Sequence, residues 1–401
     1  MAPVGWAPLM GMTLVAAGGI AVFPVFPALR AEHGLPTSAL GVVAAAGFVS
    51  AMAAELALGP WADRGGARRM VLAAMAAVAA SLAWFALATQ TWEFVAARAL
   101  SGAGVGLYLP AVSALLIRRD PEHMGAALGR LSSADLGGIA AGPLVTSLLL
   151  ETASADVALW ALSAVVGAAA LPVARGLPAD RPVAPPSGPA PAAVPSKGAS
   201  RAGVSRGLAL DLLRSRQVVG AVLLTVAVMI PVGAYDAIWP LFMDDLGAGD
   251  LLIGASYTLF AIPFLFVAPL AGRLADRVGG LGAFLRGLAI LTASIAAYAF
   301  LRDPWVVAGV GIVESTGQAA AFVGAAAATA QAVHPSRAGA GQGLARAAGT
   351  LAAALVSAGA AWLYQAGGAT PLFLSTAVAV LAVTALAARL APRDVSPDPA
   401  R

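Results

Sequence analysis

Apolar residues along this chain gather into long blocks separated by short polar gaps. A helix rises about 1.5 Å per residue and a bilayer's hydrocarbon core is about 30 Å thick, so one crossing needs about 20 mostly apolar residues. Blocks of that length lie near 6–29, 38–60, 69–89, 92–117, 125–150, 155–174, 217–241, 251–272, 282–301, 304–332, 339–364 and 370–390. The pattern predicts an all-α membrane protein with twelve transmembrane helices. The first block is long for a cleaved signal peptide and lacks its basic lead-in, so it is read as a permanent span.

Composition agrees with that pattern. Hydrophobic residues make up 60% and charged residues 11% of 401, and the mean hydropathy is +0.84. A soluble protein is roughly a quarter charged, because its surface needs charge; here lipid replaces much of the solvent. With no cysteine, the chain offers no disulfide, thiolate metal site or thiol nucleophile. His33, His123 and His334 stand far apart in short loops, which argues against a histidine metal cluster. No cofactor is expected: no Gly-Lys-Ser/Thr follows a glycine run, and "GAGVG" lies inside a span. The pI near 9.9 does not point to nucleic acid, because the basic residues sit between apolar blocks rather than in one patch.

The placement of those basic residues sets an orientation. With the N-terminus inside, twenty of the 24 cations fall in inner loops and the tail, and only Arg30 and Arg302 fall outside. Positively charged loops stay cytoplasmic, so both termini are expected there. Residues 175–216 hold the Pro/Ala/Ser-rich stretch "RPVAPPSGPAPAAVPSKGAS", a composition suited to a linker. They divide a six-helix half, 1–174, from a second, 217–390, with 391–401 as a cytoplasmic tail. An internal repeat supports the division. A shift of 213 superposes Pro27, Gly34, Gly41, Gly59, Ala62, Asp63, Arg64 and Gly66 on Pro240, Gly247, Gly254, Gly272, Ala275, Asp276, Arg277 and Gly279. A shift of 214 superposes Pro121, Gly125 and Gly129 on Pro335, Gly339 and Gly343. Parallel repeats of this kind place a central site between them.

Four segments carry a family resemblance. "GPWADRGGARR" (59–69) and "GRLADRVGG" (272–280) resemble the cytoplasmic signature of the major facilitator superfamily. The resemblance implies a latch between halves built by Gly59, Asp63, Arg64, Gly66, Arg68 and Asp120, with Gly272, Asp276 and Arg277 in the second copy, which lacks the trailing basic pair. Gly59 is expected to let helices approach closely. "RALSGAGVG", with Arg98 and Gly102, is similar to the family's fourth-span signature, whose arginine takes part in proton coupling. The other reading of Arg98 is a cation snorkelling to the surface beside Glu93. Gly129, Gly138, Gly142 and Pro143 resemble the fifth-span signature of drug/proton antiporters, with Thr146 in place of its last glycine. The glycines make a close-packing face, for which span 8 is the expected partner, and Pro143 a bend.

Glu55, Asp135, Asp236 and Glu314 are acids inside spans, where charge is rare and faces a cavity or a partner. Asp135, Arg98, Glu314 and Asp236 are therefore the proton-coupling candidates, with Asp135 and Arg98 as the first pair. Asp236 lies nearer the outer end, and Glu55 is assigned to an ion pair, with Arg346, or to transport. Tyr108, Tyr235, Trp239 and Gln318 are candidate cavity residues; Tyr257 belongs with them, while Trp6, Trp92 and Trp305 read as an interfacial belt. Pro24 and Pro27 are expected to bend the first span, as are Pro231 and Pro240 the seventh. The resemblance implies a monomeric inner-membrane secondary transporter exporting a small amphipathic compound against protons, rather than an enzyme. A facilitator or importer of the same fold is the alternative, and a lipid flippase a more distant one.

Overall fold

In the computed structural model, residues 5–62, 66–119, 124–180, 209–334 and 337–390 are described. Their helices are α1 (Trp6–Ile20), α2 (Phe26–His33), α3 (Thr37–Trp61), α4 (Ala67–Leu87), α5 (Thr91–Arg119), α6 (Met124–Leu150) and α7 (Ala155–Gly176). After the linker region come α8 (Arg216–Asp245), α9 (Asp250–Tyr298), α10 (Pro304–Ala332), α11 (Ala338–Gly367) and α12 (Ala369–Leu390). No strand occurs among the described residues, and eleven helical segments, counting α1 with α2, are long and apolar enough to cross a membrane. Large apolar side chains such as Leu87, Phe266, Leu355 and Val378 are exposed along the outer faces, as lipid contact requires. Trp6, Trp92 and Trp305 are exposed at helix ends.

Local chemistry explains where the helices begin and end. Asp303 caps α10, accepting from the backbone N–H groups of Trp305 and Val306, and Pro304 occupies the first helical position, where no N–H is needed. Glu93 reaches back to the N–H groups of Thr89 and Gln90 at the start of α5. Gly34 and Gly247, superposed by the 213-residue shift, both take positive φ (62° and 82°) just after α2 and α8. Proline interrupts the first crossing: Pro24 has no N–H to donate, and the chain tightens into a 3-10 turn at Phe23–Val25 before α2 begins. Pro231 and Pro240 lie within a helix, α8, that the structure keeps continuous.

The sequence places a loop between blocks 251–272 and 282–301, whereas the structure carries helical geometry through it and breaks only at Gly279 (φ 76°, ψ 162°). The break folds α9 back on itself. Trp239 Nε1 donates to Ser256 near one end of α9 at 2.8 Å, and the same indole packs 5.3 Å from the Tyr298 ring at the other. A straight helix would hold Ser256 and Tyr298 about 60 Å apart.

Among helices before the linker, α3 packs on α5, α4 on α5 and α7, and α1 on α6; after it, α10 packs on α9, and α8 on α11 and α12. The two groups meet where α3 faces α11 and α6 faces α9. Their cross-contacts gather at the end of the bundle that carries Arg30 and Arg302, the arginine-poor end. There Ser38 N donates to Gln365 Oε1 (2.8 Å), Leu251 N to Glu151 Oε1 (3.3 Å), and Arg30 reaches Asp244 and Asp245. Deeper in, Thr258 Oγ1 donates to Ala140 O at 2.7 Å.

The linker's described ends are held, not loose. Asp180 accepts from the N–H groups of Arg68 and Arg69 at the start of α4, and Asp211, in the 3-10 turn Leu210–Arg214, pairs with Arg337.

Candidate functional site

Arg98 sits in α5 seven residues from its start, only 6% exposed. The last turn of α1 ends against the Pro24 turn and leaves carbonyls to be satisfied from outside the helix. That of Gly19 accepts a short hydrogen bond from Arg98 Nη1. The Phe23 ring, in the same turn, lies 4.8 Å beneath the guanidinium carbon, a cation–π contact. Room for the flat head comes from α3, since a Cβ on Gly47 would lie 2.6 Å from Arg98 Nε. One turn along α5, a Cβ on Gly102 would collide with the Gly47 carbonyl, so the two glycines set the α3–α5 approach. Arg98 therefore points inward and does not snorkel; Glu93 is engaged in capping instead. The Arg98 Nε remains a buried donor with no partner among the described residues.

The acid whose charge acts on Arg98 is Asp236, on α8 across the bundle, and not Asp135. Depth explains the choice. Counted from the arginine-poor end at about 1.5 Å per residue, Arg98 lies about 10 Å in, Asp236 about 14 Å and Asp135 about 22 Å. Asp135 instead feels the charge of Arg346 on α11. Asp135 and Asp236 both keep part of their surface open. Tyr257 stands within electrostatic range of Asp236, with its hydroxyl buried and unpartnered among the described residues.

Glu314 is the opposite case. It is 0% exposed, and each carboxylate oxygen accepts a tyrosine hydroxyl at 2.6 Å, from Tyr235 on α8 and from Tyr298 on α9. Around them Trp239, Phe242 and Phe373 pack edge-on or tilted at centroid distances of 4.9–6.3 Å. Tyr298 and Phe373 escaped sequence reasoning because both lie outside the segments that carried motifs.

The Major Facilitator Superfamily profile matches residues 9–235 and 221–401. The chain belongs to the Major Facilitator Superfamily. It is thus an integral membrane protein of a transporter family. Among curated proteins it is 26% identical over 321 residues to multidrug resistance protein MdtG of Enterobacter lignolyticus, covering 76% of this chain and 73% of that one. It is 25% identical over 322 residues to the MdtG of Salmonella typhimurium, covering 76% of each. Among solved structures, the nucleoside transporter NupG shares the fold with a TM-score of 0.76 at 12% identity, over 96% of this chain and 98% of that one. A bacterial homologue of the lysosomal transporter Spinster, solved inward-facing and unoccupied, gives 0.75 at 13% identity over 96% and 95%.

The superfamily's cytoplasmic signature is only partly in view. Asp63, Arg64 and Asp120 lie outside the described residues. Among the described residues nothing lies within 4 Å of where a Cβ would stand on Gly59 or Gly272, so Gly59 does not make the close helix contact expected of it. Gly66 precedes α4, Arg68 donates its N–H to Asp180, and Asp276 and Arg277 are exposed on the α9 surface. Of the antiporter-like glycines, Gly138 and Gly142 pack against the backbone of α1 at Thr13 and Ala17, where a Cβ would clash. Span 8 meets α6 elsewhere, with Gly254 against Ser147 and the Pro143 carbonyl. Gly129 makes no close helix contact among the described residues, which corrects its packing assignment. Tyr108 is likewise no cavity residue: fully buried, it donates to Pro8 O at 2.9 Å through a slot that Gly11 leaves free. Trp239 is core, 7% exposed. Gln318, one turn beyond Glu314, is 3% exposed with its Oε1 unpartnered among the described residues.

Proposed function

We propose that this chain is a proton-coupled exporter of small amphipathic compounds in the inner membrane, working by alternating access between residues 1–174 and 217–390. The observation that carries the proposal is Arg98: a buried guanidinium with an unfilled donor, held by one helix group and within electrostatic range of Asp236 of the other. A buried charge left short of partners is costly, and its natural use is to change partner during a cycle. In this reading a proton arriving from outside neutralises Asp236 and frees Arg98, which lets the halves part and substrate leave outward. Loss of the proton inside restores the attraction and resets the carrier. Asp135 and Arg346 form a second acid–base pair between the halves, deeper toward the cytoplasm. Glu314, with both oxygens occupied, holds the second half together and joins the proton path only if a tyrosine lets go.

Several features support the architecture. The 49 residues of α9 would span about 74 Å if straight, more than two bilayer cores, and the chain reverses at Gly279. Counting its limbs separately gives twelve crossings. Arginines crowd the end opposite Arg30 and Arg302, which supports a cytoplasmic side for that end and both termini. The MdtG relatives favour efflux of drugs over uptake of a nutrient. The protein works as a monomer, because two six-helix halves suffice to enclose a path.

The test is counterflow in proteoliposomes loaded with amphipathic compounds under an imposed pH gradient, with substrate and proton movement recorded together. Oppositely directed coupled fluxes support the exporter. Substrate flux without proton movement identifies a facilitator and leaves the buried charges a structural role.

A further inference from the structure

Arg30 lies in the last turn of α2 and reaches across to the last two residues of α8. Its Nη2 lies 2.7 Å from both Asp244 Oδ2 and Asp245 Oδ1, and Tyr364 of α11 donates to Asp245 Oδ2 at 2.7 Å. Acids are misplaced at the C-terminus of a helix, where the dipole is already negative. Two in succession at the end of α8 break a local rule, and sites that break local rules with a specific partner are where function is found. The partner comes from the other helix group, and the cluster also draws in a tyrosine from a third helix. Directly beneath it, Gly41 on α3 is packed against Ala361 and Ser357 of α11, with Ser357 fully buried. The ion pairs themselves are partly exposed, 28% for Arg30 against 39% and 41% for the acids. Such pairs are individually weak. They are therefore suited to a lock that must open in every cycle.

We infer that Arg30, Asp244, Asp245 and Tyr364 form the outer gate of this transporter, an ion-pair lock that holds the arginine-poor end shut and limits how often it opens to release substrate. The inference rests on the alternating-access reading above. No equivalent was visible in the sequence, where Arg30 counted only as one of two outer cations.

The chain contains no cysteine, so single cysteines report without background. With Ser357→Cys as reporter and a membrane-impermeant maleimide added outside, Arg30→Gln and the double variant Asp244→Asn/Asp245→Asn each raise the labelling rate about fivefold over the reporter parent. Arg30→Lys, which keeps the charge but loses the fork, raises it less. In a second measurement, Ser38→Cys and Gln365→Cys joined by a short reversible cross-linker stop counterflow until the link is cleaved. Unchanged labelling in variants that elute as folded monodisperse protein, or full counterflow with the link in place, overturns the gate. Labelling needs neither substrate nor protons, so this failure is separable from that of the transport reading, which falls if the parent shows no coupled flux whatever the labelling rate.

Discussion

Arg98 and Glu314 are both ionisable groups buried in an apolar bundle, yet their surroundings are built to opposite ends. Glu314 has each oxygen answered by a tyrosine hydroxyl at 2.6 Å and no exposed surface. Arg98 has one donor answered by an orphan carbonyl, a ring beneath it, an unfilled Nε, and its countercharge across the boundary between helix groups. A saturated charge fixes a structure, and a partly answered one is free to exchange partners. The difference teaches that burial alone does not single out a coupling candidate; unsatisfied hydrogen-bonding capacity at the boundary between helix groups does.

The comparison is broken most forcefully at Arg98. Arg98→Ala should lower the transport rate on the order of 100-fold while changing the thermal midpoint comparatively little, because the lost contacts to Gly19 and Phe23 are offset by removal of a buried charge whose Nε has no partner. Arg98→Lys should recover little, since an ammonium cannot lie flat between Gly47 and Phe23. A large drop in midpoint with modest loss of transport would reverse the assignment. Next is Glu314→Gln, which should cost about 2 kcal/mol of stability, measured by thermal or denaturant unfolding in detergent, because a tyrosine hydroxyl loses its charged acceptor. Smaller again, Tyr298→Phe should cost about 1 kcal/mol, with Tyr235→Phe similar and the double variant less than additive.

The smallest effect is expected at the linker. Arg337 hydrogen-bonds the Asp211 carboxylate and holds its pKa below the usual range. A carboxylate depressed in the folded state adds stability above its unfolded pKa of about 4 and loses it as pH falls through the lower folded value. Asp211→Asn should therefore shift the unfolding midpoint slightly at pH 7, with the difference from the parent vanishing on acidification below about pH 4. A difference that grows on acidification would contradict the pairing.

Much of this was legible in the sequence, for reasons that also set its limits. Membrane crossings are written in runs of apolar residues, and the interruption at Pro24 follows from a missing N–H, so the first span and its break could be read directly. Arg98 with Gly102 announced a charge within a span beside a close contact. Which acid answers Arg98 was not legible, since it depends on the rotation and neighbours of helices more than a hundred residues apart. Yet depth alone would have favoured Asp236, some 4 Å from the level of Arg98, over Asp135 at about 12 Å. The tyrosines on Glu314 were half visible. Tyr235 stood out, but Tyr298 ends a helix whose reversal at Gly279 brings it back beside α8, and no local pattern encodes that return. Gly59 and Gly129 taught the converse: a glycine in a motif need not be a contact in the state observed.

The central claim is that protons are coupled to substrate through Asp236 and Arg98. Its most direct test is proton flux during substrate counterflow in Asp236→Asn proteoliposomes, beside the parent protein. The account predicts substrate exchange that persists while its accompanying proton movement disappears; proton movement in step with substrate, undiminished in Asp236→Asn, would contradict it.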